Sequence, residues 1–452
     1  MWCDATVTVA RYAYNLRDVK TGGDMRATTT PERSRREFLT GASALGAMAL
    51  APAPARVQIT TLAPFEKLPP YGNNTLPAGV KARLVPNVNG LTVNMLEAGA
   101  QGQPLVVLLH GFPNLGYSWR KVMPAFANAG YYVIAPDCRG YGRTVGWDRS
   151  WDADPTPFLT LNMVRDQVAL VSALGYRKAE LIVGHDQGQL IATYAAIVRP
   201  DMFLRLTTVS SAGGAPPSFP FAGTERKPAY TAAELDAEFA KLNPPRRDYQ
   251  EYWASKQADE DMKHMPQSMS DFFRAFYYMK GGEFPGNQNL TPLRPMPTAR
   301  EAAAENARMP EYYVMRRDRG MPATMVAFMP SKEYIANCKW FTQAECDVYG
   351  QEYDASGWTG ALHNYRHRRT AFPANIAEQL TFSGRTIDVP AQFIAGKQDW
   401  GANRITGGAA GAGKTGYTKF RGVQLVDRAG HWPQEEQPEI VSQYLIGFLK
   451  ST

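Results

Sequence analysis

The chain has 452 residues, of which 44% are hydrophobic and 20% are charged. These proportions are those of an ordinary globular protein, and they exclude disorder as the default state of the chain. The formal charge of +7 at pH 7 is a small surplus for this length, and without a dense basic block it does not indicate a nucleic-acid-binding protein.

The first 55 residues have the features of an export leader. Arg35 and Arg36 precede an apolar run over 41–51, and this order resembles a twin-arginine export signal. The run is shorter than the roughly 20 residues that span a bilayer, so we expect no stable membrane anchor. We therefore predict a leader over 1–55, the twin-arginine translocase as a partner during export, and a periplasmic or extracellular product. The sequence does not decide between the first methionine and Met25 as the start of translation.

Short apolar segments rich in β-branched residues follow the leader and predict β-strands. Amphipathic patterns over 162–174 and 189–198 predict helices between them. Such an alternation of strands and helices predicts a mostly parallel sheet with helices on both faces. The predicted strands in this part of the chain cover 80–85, 91–97, 105–109, 132–135, 181–183 and 206–210.

The alternation stops at about residue 213, and the chain then becomes rich in aromatic residues, proline and glycine. Strand-like runs return at 389–394 and 423–426, and an amphipathic helix fits 438–449. One α/β domain is therefore interrupted by a mainly helical insertion. The predicted bounds are 56–212 for the first part of the domain, 213–384 for the insertion and 385–452 for the second part.

The turn at residues 184–188 is the feature of the sequence that most clearly indicates a catalytic function. It reads Gly-His-Asp-Gln-Gly and joins a predicted strand to a predicted helix. The flanking glycines allow a sharp corner that holds the central side chain, Asp186, out of the sheet. An ionised carboxylate there can displace a leaving group from a saturated carbon and form an ester with it. An aspartate that only caps the following helix would give the same pattern, so the surrounding segments decide between the two interpretations.

Three further segments support the catalytic interpretation, because Asp186 and the last two of them occur in the chain order that a nucleophile, an acid and a histidine follow in one known fold. The sequence His-Gly-Phe-Pro at 110–113 follows a predicted strand, upstream of the turn. Asp399 lies beyond the strand 389–394, and His431 lies beyond the strand 423–426. Together these segments resemble the α/β-hydrolase superfamily, and an aspartate in the turn resembles its epoxide hydrolase and dehalogenase-related branch.

The resemblance covers roughly residues 80 to 450 and implies an α/β-hydrolase fold, with a mostly parallel eight-stranded sheet and an inserted helical cap. It implies that Asp186 is the nucleophile, that His431 deprotonates water, and that Asp399 orients the imidazole. The backbone N–H groups of Phe112 and Gln187 would face the oxygen of the ester intermediate. No metal ion or organic cofactor is expected.

The leaving group determines what the cap must supply. An opened epoxide leaves an alkoxide that needs a proton, whereas a dehalogenase must bind a halide ion. Epoxide hydrolases similar to this chain use two cap tyrosines as acids, and residues 357–366 resemble the second of these motifs, which assigns Tyr365. Tyr277 is the choice for the first. The other candidates for the first acid are Tyr278, Tyr312 and Tyr313.

The predicted function is hydrolysis of a small hydrophobic epoxide to a vicinal diol, with water as the second reactant. One alternative is a haloalkane or haloacid dehalogenase with the same triad. Gln187 disfavours it, because related dehalogenases carry an indole or guanidinium donor at this position. The second alternative is a homologue that binds a ligand without catalysis, since a fold alone does not give an activity.

Two other patterns are expected to have no catalytic role. Residues 408–415 fit the phosphate-loop pattern G-x-x-x-x-G-K-[ST], but they lie between two predicted strands and open no helix, so we expect a loop that binds no nucleotide. Cys338 and Cys346 could form a disulfide bond, which would leave Cys138 as a lone thiol.

Overall fold

The structure is a computed structural model, and it describes residues 65–212, 216, 229–369, 373–404, 411–413 and 415–452. The leader predicted over 1–55 and the predicted start of the insertion at residue 213 lie outside these residues. Residues 408–410 and 414 of the phosphate-loop pattern also lie outside them.

The described strands form one large sheet and one small ribbon. The large sheet contains β1 (Lys81–Val88), β2 (Leu91–Ala98), β3 (Leu105–Leu109), β4 (Tyr132–Pro136), β5 (Leu181–His185), β6 (Leu206–Val209), β9 (Ala391–Gly396) and β10 (Phe420–Val426), and the ribbon contains β7 (Arg246–Asp248) and β8 (Val314–Arg316). The order across the large sheet is β1-β2-β4-β3-β5-β6-β9-β10. Among the described strands of the large sheet, only the β1–β2 and β2–β4 pairs are antiparallel. The predicted mostly parallel eight-stranded sheet is confirmed.

Every residue of β3, β4 and β5 is buried, as is typical of parallel strands that are covered on both faces. Two groups of helices cover the sheet. The helices α2 (Thr160–Ala173) and α3 (Gly188–Val198) pack against each other, with α2 against β1 and α3 against β5 and β6. The helices α1 (Met123–Asn128) and α16 (Pro438–Ser451) also pack together, with α1 against β2 and β4 and α16 against β10.

The described chain between β6 and β9 is mainly helical. The helices there are α4 (Ala232–Ala240), α5 (Tyr249–Trp253), α6 (Lys256–Lys263), α7 (Met269–Lys280), α8 (Ala299–Asn306), α9 (Met321–Val326), α10 (Lys332–Asn337), α11 (Gln343–Ser356), α12 (Thr359–Arg369) and α13 (Pro373–Thr381). Two short helices, α14 (Trp400–Asn403) and α15 (Pro433–Glu436), follow β9 and β10. No helix among the described residues is both long and apolar enough to cross a membrane.

A buried ion-pair network connects the helical segment to the sheet domain. Glu345 and Thr342 form a reciprocal capping box at the start of α11, which satisfies backbone donors at that helix end. The same Glu345 carboxylate pairs with Arg120 at 2.5 Å, and Arg120 also pairs with Glu435 at 2.8 Å. The Arg120 side chain is completely buried, so these contacts fix α11 against the loop that precedes α1.

Cys138, Cys338 and Cys346 are buried and form no disulfide bond within the described part of the chain. The pairing considered for Cys338 with Cys346 is therefore absent from the structure. The thiol of Cys346 instead donates to the backbone carbonyl of Ser270, with a sulfur-to-oxygen distance of 3.0 Å.

Parallel pairing places the candidate residues together. The strands β3, β5, β9 and β10 run in the same direction, so their carboxyl ends lie at one edge of the sheet, where ligands bind in open α/β folds. Residues 110–113, Asp186, Asp399 and His431 follow these four strands.

Candidate active site

The segment that joins β5 to α3 is a sharp turn. Asp186 follows β5 with a φ of 47°, in the left-handed region that residues other than glycine rarely adopt. A Cβ atom added to Gly188 would lie 2.4 Å from the backbone oxygen of His110, so only glycine allows α3 to begin this close to the loop after β3. The packing around the turn therefore maintains a strained backbone at Asp186.

Asp186, His431 and Asp399 form a continuous chain of contacts. The Nε2 atom of His431 lies 3.5 Å from Oδ2 of Asp186. The Nδ1 atom lies 3.1 Å from Oδ1 and 3.2 Å from Oδ2 of Asp399. His431 and Asp399 are buried, whereas 18% of the Asp186 side chain is exposed. The structure thus brings these three residues together and leaves the Asp186 carboxylate accessible.

Backbone contacts fix the position of His431. Its carbonyl oxygen accepts hydrogen bonds from Nε2 of His185 at 2.8 Å and from the hydroxyl of Ser210 at 3.0 Å. Its N–H donates to the backbone carbonyl of Lys280, at the end of α7, at 2.9 Å. The imidazole is therefore held by contacts from β5, from the end of β6 and from the helical segment.

Opposing electrostatic effects act on Asp186 and His431. Burial raises the pKa of Asp186, but the adjacent His431 and the charge of Lys280 outweigh burial and hold that pKa well below its usual range. Burial and the Lys280 charge lower the pKa of His431, whereas Asp399 and Asp186 raise it, and the net shift is upward. Asp186 is thus held as an ionised carboxylate, and the two carboxylates beside His431 increase the affinity of its imidazole for a proton.

One predicted donor already contacts Asp186. The backbone N–H of Phe112 donates to Oδ1 of Asp186 at 3.0 Å, which leaves Oδ2 as the oxygen that faces His431. Gln187 lies directly after Asp186 and precedes the first residue of α3. The oxygen and the nitrogen of its side-chain amide are buried and have no hydrogen-bond partner among the described residues.

Tyr365 lies over the loop that contains Phe112. It is part of α12, it is 5% exposed, and its ring centroid lies 4.9 Å from that of Phe112 in an edge-on contact. Burial, two neighbouring phenols and the charge of Asp186 all raise its pKa. The structure therefore brings Tyr365 into the electrostatic environment of Asp186.

The geometry does not support Tyr277 as the first acid. Its hydroxyl accepts a hydrogen bond from the side-chain amide of Asn114 at 2.9 Å, and its ring stacks on Phe341 at 4.2 Å and on Trp432 at 4.4 Å. Burial and the carboxylate of Glu435 raise its pKa. The phenol is thus hydrogen-bonded within the buried polar network around Asn114 and Glu435.

Tyr249, which the sequence analysis did not select, lies beside Tyr365. It begins α5, and its ring centroid lies 6.4 Å from that of Tyr365. Its hydroxyl accepts from Arg404 at 3.4 Å and from the Gln250 amide at 3.1 Å. Burial is the main cause of its raised pKa, and Asp186 contributes. The sequence feature that could have identified Tyr249 is a group of three aromatic residues at 249, 252 and 253. Their spacing equally fits core packing.

The remaining candidates differ from one another. Tyr312 and Tyr313 contact the ring of Tyr249, with centroids 5.0 and 5.4 Å away, and Asp186 contributes to the raised pKa of both. Tyr278 packs against Phe284 and Tyr334 instead.

Comparison with known proteins agrees with this geometry. A family model described as the alpha/beta hydrolase fold matches residues 104–278. Epoxide hydrolase A of Mycobacterium tuberculosis is 30% identical over 379 residues, which cover 81% of this chain and 96% of that protein. Epoxide hydrolase B of the same organism is 31% identical over 376 residues, which cover 77% of this chain and 92% of that protein.

Solved structures show the same fold. An epoxide hydrolase from an endophytic Streptomyces aligns with a TM-score of 0.64 and 27% identity, over 83% of this chain and 96% of that one. Epoxide hydrolase I of potato (Solanum tuberosum) aligns with a TM-score of 0.61 and 24% identity, over 82% of this chain and its own full length. Since relatives match over almost their whole length at 30% identity or more, this chain belongs to the epoxide hydrolase family of α/β-hydrolases and is an enzyme of that type.

Proposed function

We propose that this enzyme hydrolyses an organic epoxide to a vicinal diol through a covalent ester on Asp186. The observation that carries the proposal is the contact chain from Asp399 through His431 to the partly exposed Asp186 carboxylate, at distances of 3.1 and 3.5 Å. An aspartate that served only in the turn would not need an imidazole beside its second carboxylate oxygen.

In the first step, Oδ2 of Asp186 attacks an epoxide carbon, because Oδ1 is held by the N–H of Phe112 at 3.0 Å. A carbon–oxygen bond forms to Asp186, and the ring carbon–oxygen bond breaks. The ring oxygen takes a proton from Tyr365 or Tyr249. Burial raises the pKa of both phenols, so they keep their protons until the stronger base, an alkoxide, develops.

In the second step, His431 removes a proton from water, and the hydroxide attacks the ester carbonyl carbon. Asp399 and Asp186 both raise the pKa of His431, and esterification of Asp186 removes its share of this effect, which leaves the imidazole free to act as a base. The N–H groups of Phe112 and Gln187 would hold the oxyanion. When the tetrahedral intermediate collapses, the ester carbon–oxygen bond breaks, the diol leaves and the Asp186 carboxylate is restored. The proton that His431 took from water then returns through solvent to the tyrosine that protonated the ring oxygen.

Diol formation from styrene oxide tests this proposal. The wild-type protein should release phenylethanediol, and Asp186→Asn should lower kcat on the order of 10⁴-fold or more. Asp201→Asn, at a surface side chain that is 64% exposed, is the matched control and should retain activity. Halide release from 1-bromohexane without diol formation from any epoxide would contradict the proposal.

We also propose that the segment 213–384 forms the cap, which would carry Tyr249 and Tyr365, and that it lies between core parts over 56–212 and 385–452. The proposal rests on the position of the described helices between β6 and β9. Limited proteolysis should cut first near residue 213 or 384, and initial cleavage within the sheet domain would contradict these bounds.

The leader over 1–55 is proposed to direct export through the twin-arginine translocase, because Arg35 and Arg36 precede a short apolar run. Residues 1–55 fused to a folded fluorescent protein should carry it to the periplasm. Replacing both arginines by lysine should abolish this transport. Fluorescence that stays in the cytoplasm with the native leader would contradict the proposal.

A further inference from the structure

Lys280, the last residue of α7, is a buried cation beside the catalytic residues. It is 5% exposed, and its ammonium lies over the rings of Tyr312 and Trp432, each at 5.1 Å from the ring centroid. The rings of Phe276 and Tyr313 lie at 5.5 and 5.7 Å. Four aromatic faces therefore surround an ammonium that water barely reaches.

The ammonium lies within the electrostatic field of the nucleophile. Lys280 interacts with the charges of both Asp186 and Asp399, and it in turn acts on Asp186 and His431. A molecule that reaches the Asp186 carboxylate therefore also enters the field of this cation.

The hydrogen-bonding capacity of Lys280 is unused in the described part of the chain. An ammonium has three N–H donors, yet no described oxygen accepts from Nζ of Lys280 or lies within ion-pair distance of it. Nζ is not among the fully enclosed polar atoms that lack a partner, so it keeps some accessible surface, but shielding an unpaired charge from water is still unfavourable. The aromatic faces offset part of this cost, but they accept no conventional hydrogen bond.

A second polar group next to the nucleophile is also unsatisfied. Both polar atoms of the Gln187 amide are buried without a partner among the described residues. A purely hydrocarbon epoxide would leave the donors of Lys280 without an acceptor. A substrate with an anionic oxygen would accept from Lys280, and the lysine charge would offset the repulsion between that anion and Asp186.

We propose that the natural substrate is an epoxide that carries a carboxylate, and that the Lys280 ammonium binds this carboxylate while Asp186 attacks the ring. This inference rests on the proposed epoxide hydrolysis and specifies its substrate class. Lys280 is thus a specificity-determining residue, and its role differs from the acid roles of Tyr249 and Tyr365. A carboxylate is chosen because its single negative charge matches the single charge of one ammonium.

The test compares two substrates that differ in charge but hardly in shape, 3-phenylglycidate and 3-phenylglycidamide. The wild-type ratio of kcat/KM, acid over amide, should be about 10 or more, as expected for a charge-assisted hydrogen bond. Lys280→Met should lower this ratio by about 10-fold, and Lys280→Arg should retain it. Lys263→Met, at a side chain that is 47% exposed on α6, is the matched control and should keep the wild-type ratio.

A binding measurement separates this inference from the proposed function. Calorimetry with the wild-type protein should show that 3-phenylpropionate binds at least about 10-fold more tightly than 3-phenylpropionamide, and Lys280→Met should remove the difference. Lys280-dependent binding of the acid without turnover of any epoxide would overturn the proposed function and support the anion site. Hydrolysis of styrene oxide with equal kcat/KM for the acid and the amide would overturn the anion site and leave the function standing. Should Lys280→Met fail to fold, Lys280→Arg and the two wild-type comparisons still decide the question.

Discussion

Glu436 and His431 are joined through the backbone of the catalytic loop. The Glu436 carboxylate accepts hydrogen bonds from the N–H groups on either side of His431, those of Gly430 at 2.9 Å and Trp432 at 3.1 Å. It also accepts from the N–H of Gly282 at 2.6 Å, two residues after the end of α7. One buried carboxylate therefore fixes the catalytic loop to the helical segment.

Glu436→Ala should misplace the imidazole and destabilise the fold. Removing the carboxylate leaves three buried N–H donors unpaired, and each such loss costs about 1–3 kcal/mol. We expect a fall of about 3 kcal/mol in the free energy of unfolding, measured by urea titration, and a lower kcat for ester hydrolysis. Glu436→Gln keeps one oxygen acceptor and should lie between wild type and alanine in both measurements. Full stability of the alanine variant would contradict this function of Glu436.

Phenylalanine substitutions separate the two candidate acids. Tyr249→Phe should lower the rate of Asp186 alkylation about 100-fold, because a general acid contributes about that much or more. Tyr277→Phe removes a buried hydrogen bond to Asn114 and should cost about 1 kcal/mol of stability while changing the alkylation rate only a few-fold. Single-turnover kinetics with styrene oxide measures both. The opposite pattern would restore Tyr277 as the acid.

The sequence predicted the triad because each member follows a strand whose apolar pattern is readable. Asp186, Asp399 and His431 come after β5, β9 and β10, and parallel pairing brings the ends of these strands to one edge. Local sequence therefore determined where these three residues lie. The unusual φ of Asp186 was also foreseeable from the glycines on both sides of it.

The first tyrosine could not be chosen in the same way. The helical segment has aromatic residues throughout its core, and many of them pack at the spacing of buried helix faces. Tyr249 and Tyr277 are both buried, and only tertiary packing distinguishes a phenol beside Tyr365 from one bonded to Asn114. The sequence likewise could not predict the environment of Lys280, because the four rings around its ammonium come from three separated segments of the chain.

The preference for an acid substrate should disappear at high pH. Burial lowers the pKa of Lys280 to about 8, so its ammonium is charged below that pH and neutral above it, whereas the substrate carboxylate stays ionised. The ratio of kcat/KM for 3-phenylglycidate over 3-phenylglycidamide should therefore fall between pH 7 and 9. The titratable and charged groups that interact with Lys280 or supply its surrounding rings are Asp186, Asp399, Arg404, His185, His431, Tyr312 and Tyr313.

Lys280→Arg is the control for this pH dependence. Its guanidinium stays charged to above pH 12, so the ratio in this variant should remain level from pH 7 to 9. An equal decline in the wild type and the arginine variant would assign the titration to another group.

The covalent intermediate tests the central claim most directly. His431→Gln should still form the ester on Asp186 but should not hydrolyse it, because the base that activates water is missing. After incubation with styrene oxide, intact-protein mass spectrometry should show an increase equal to one substrate molecule, located by peptide mapping on Asp186 and absent from the Asp186→Asn, His431→Gln double variant. Normal diol turnover by His431→Gln, or an adduct on another residue, would contradict the account.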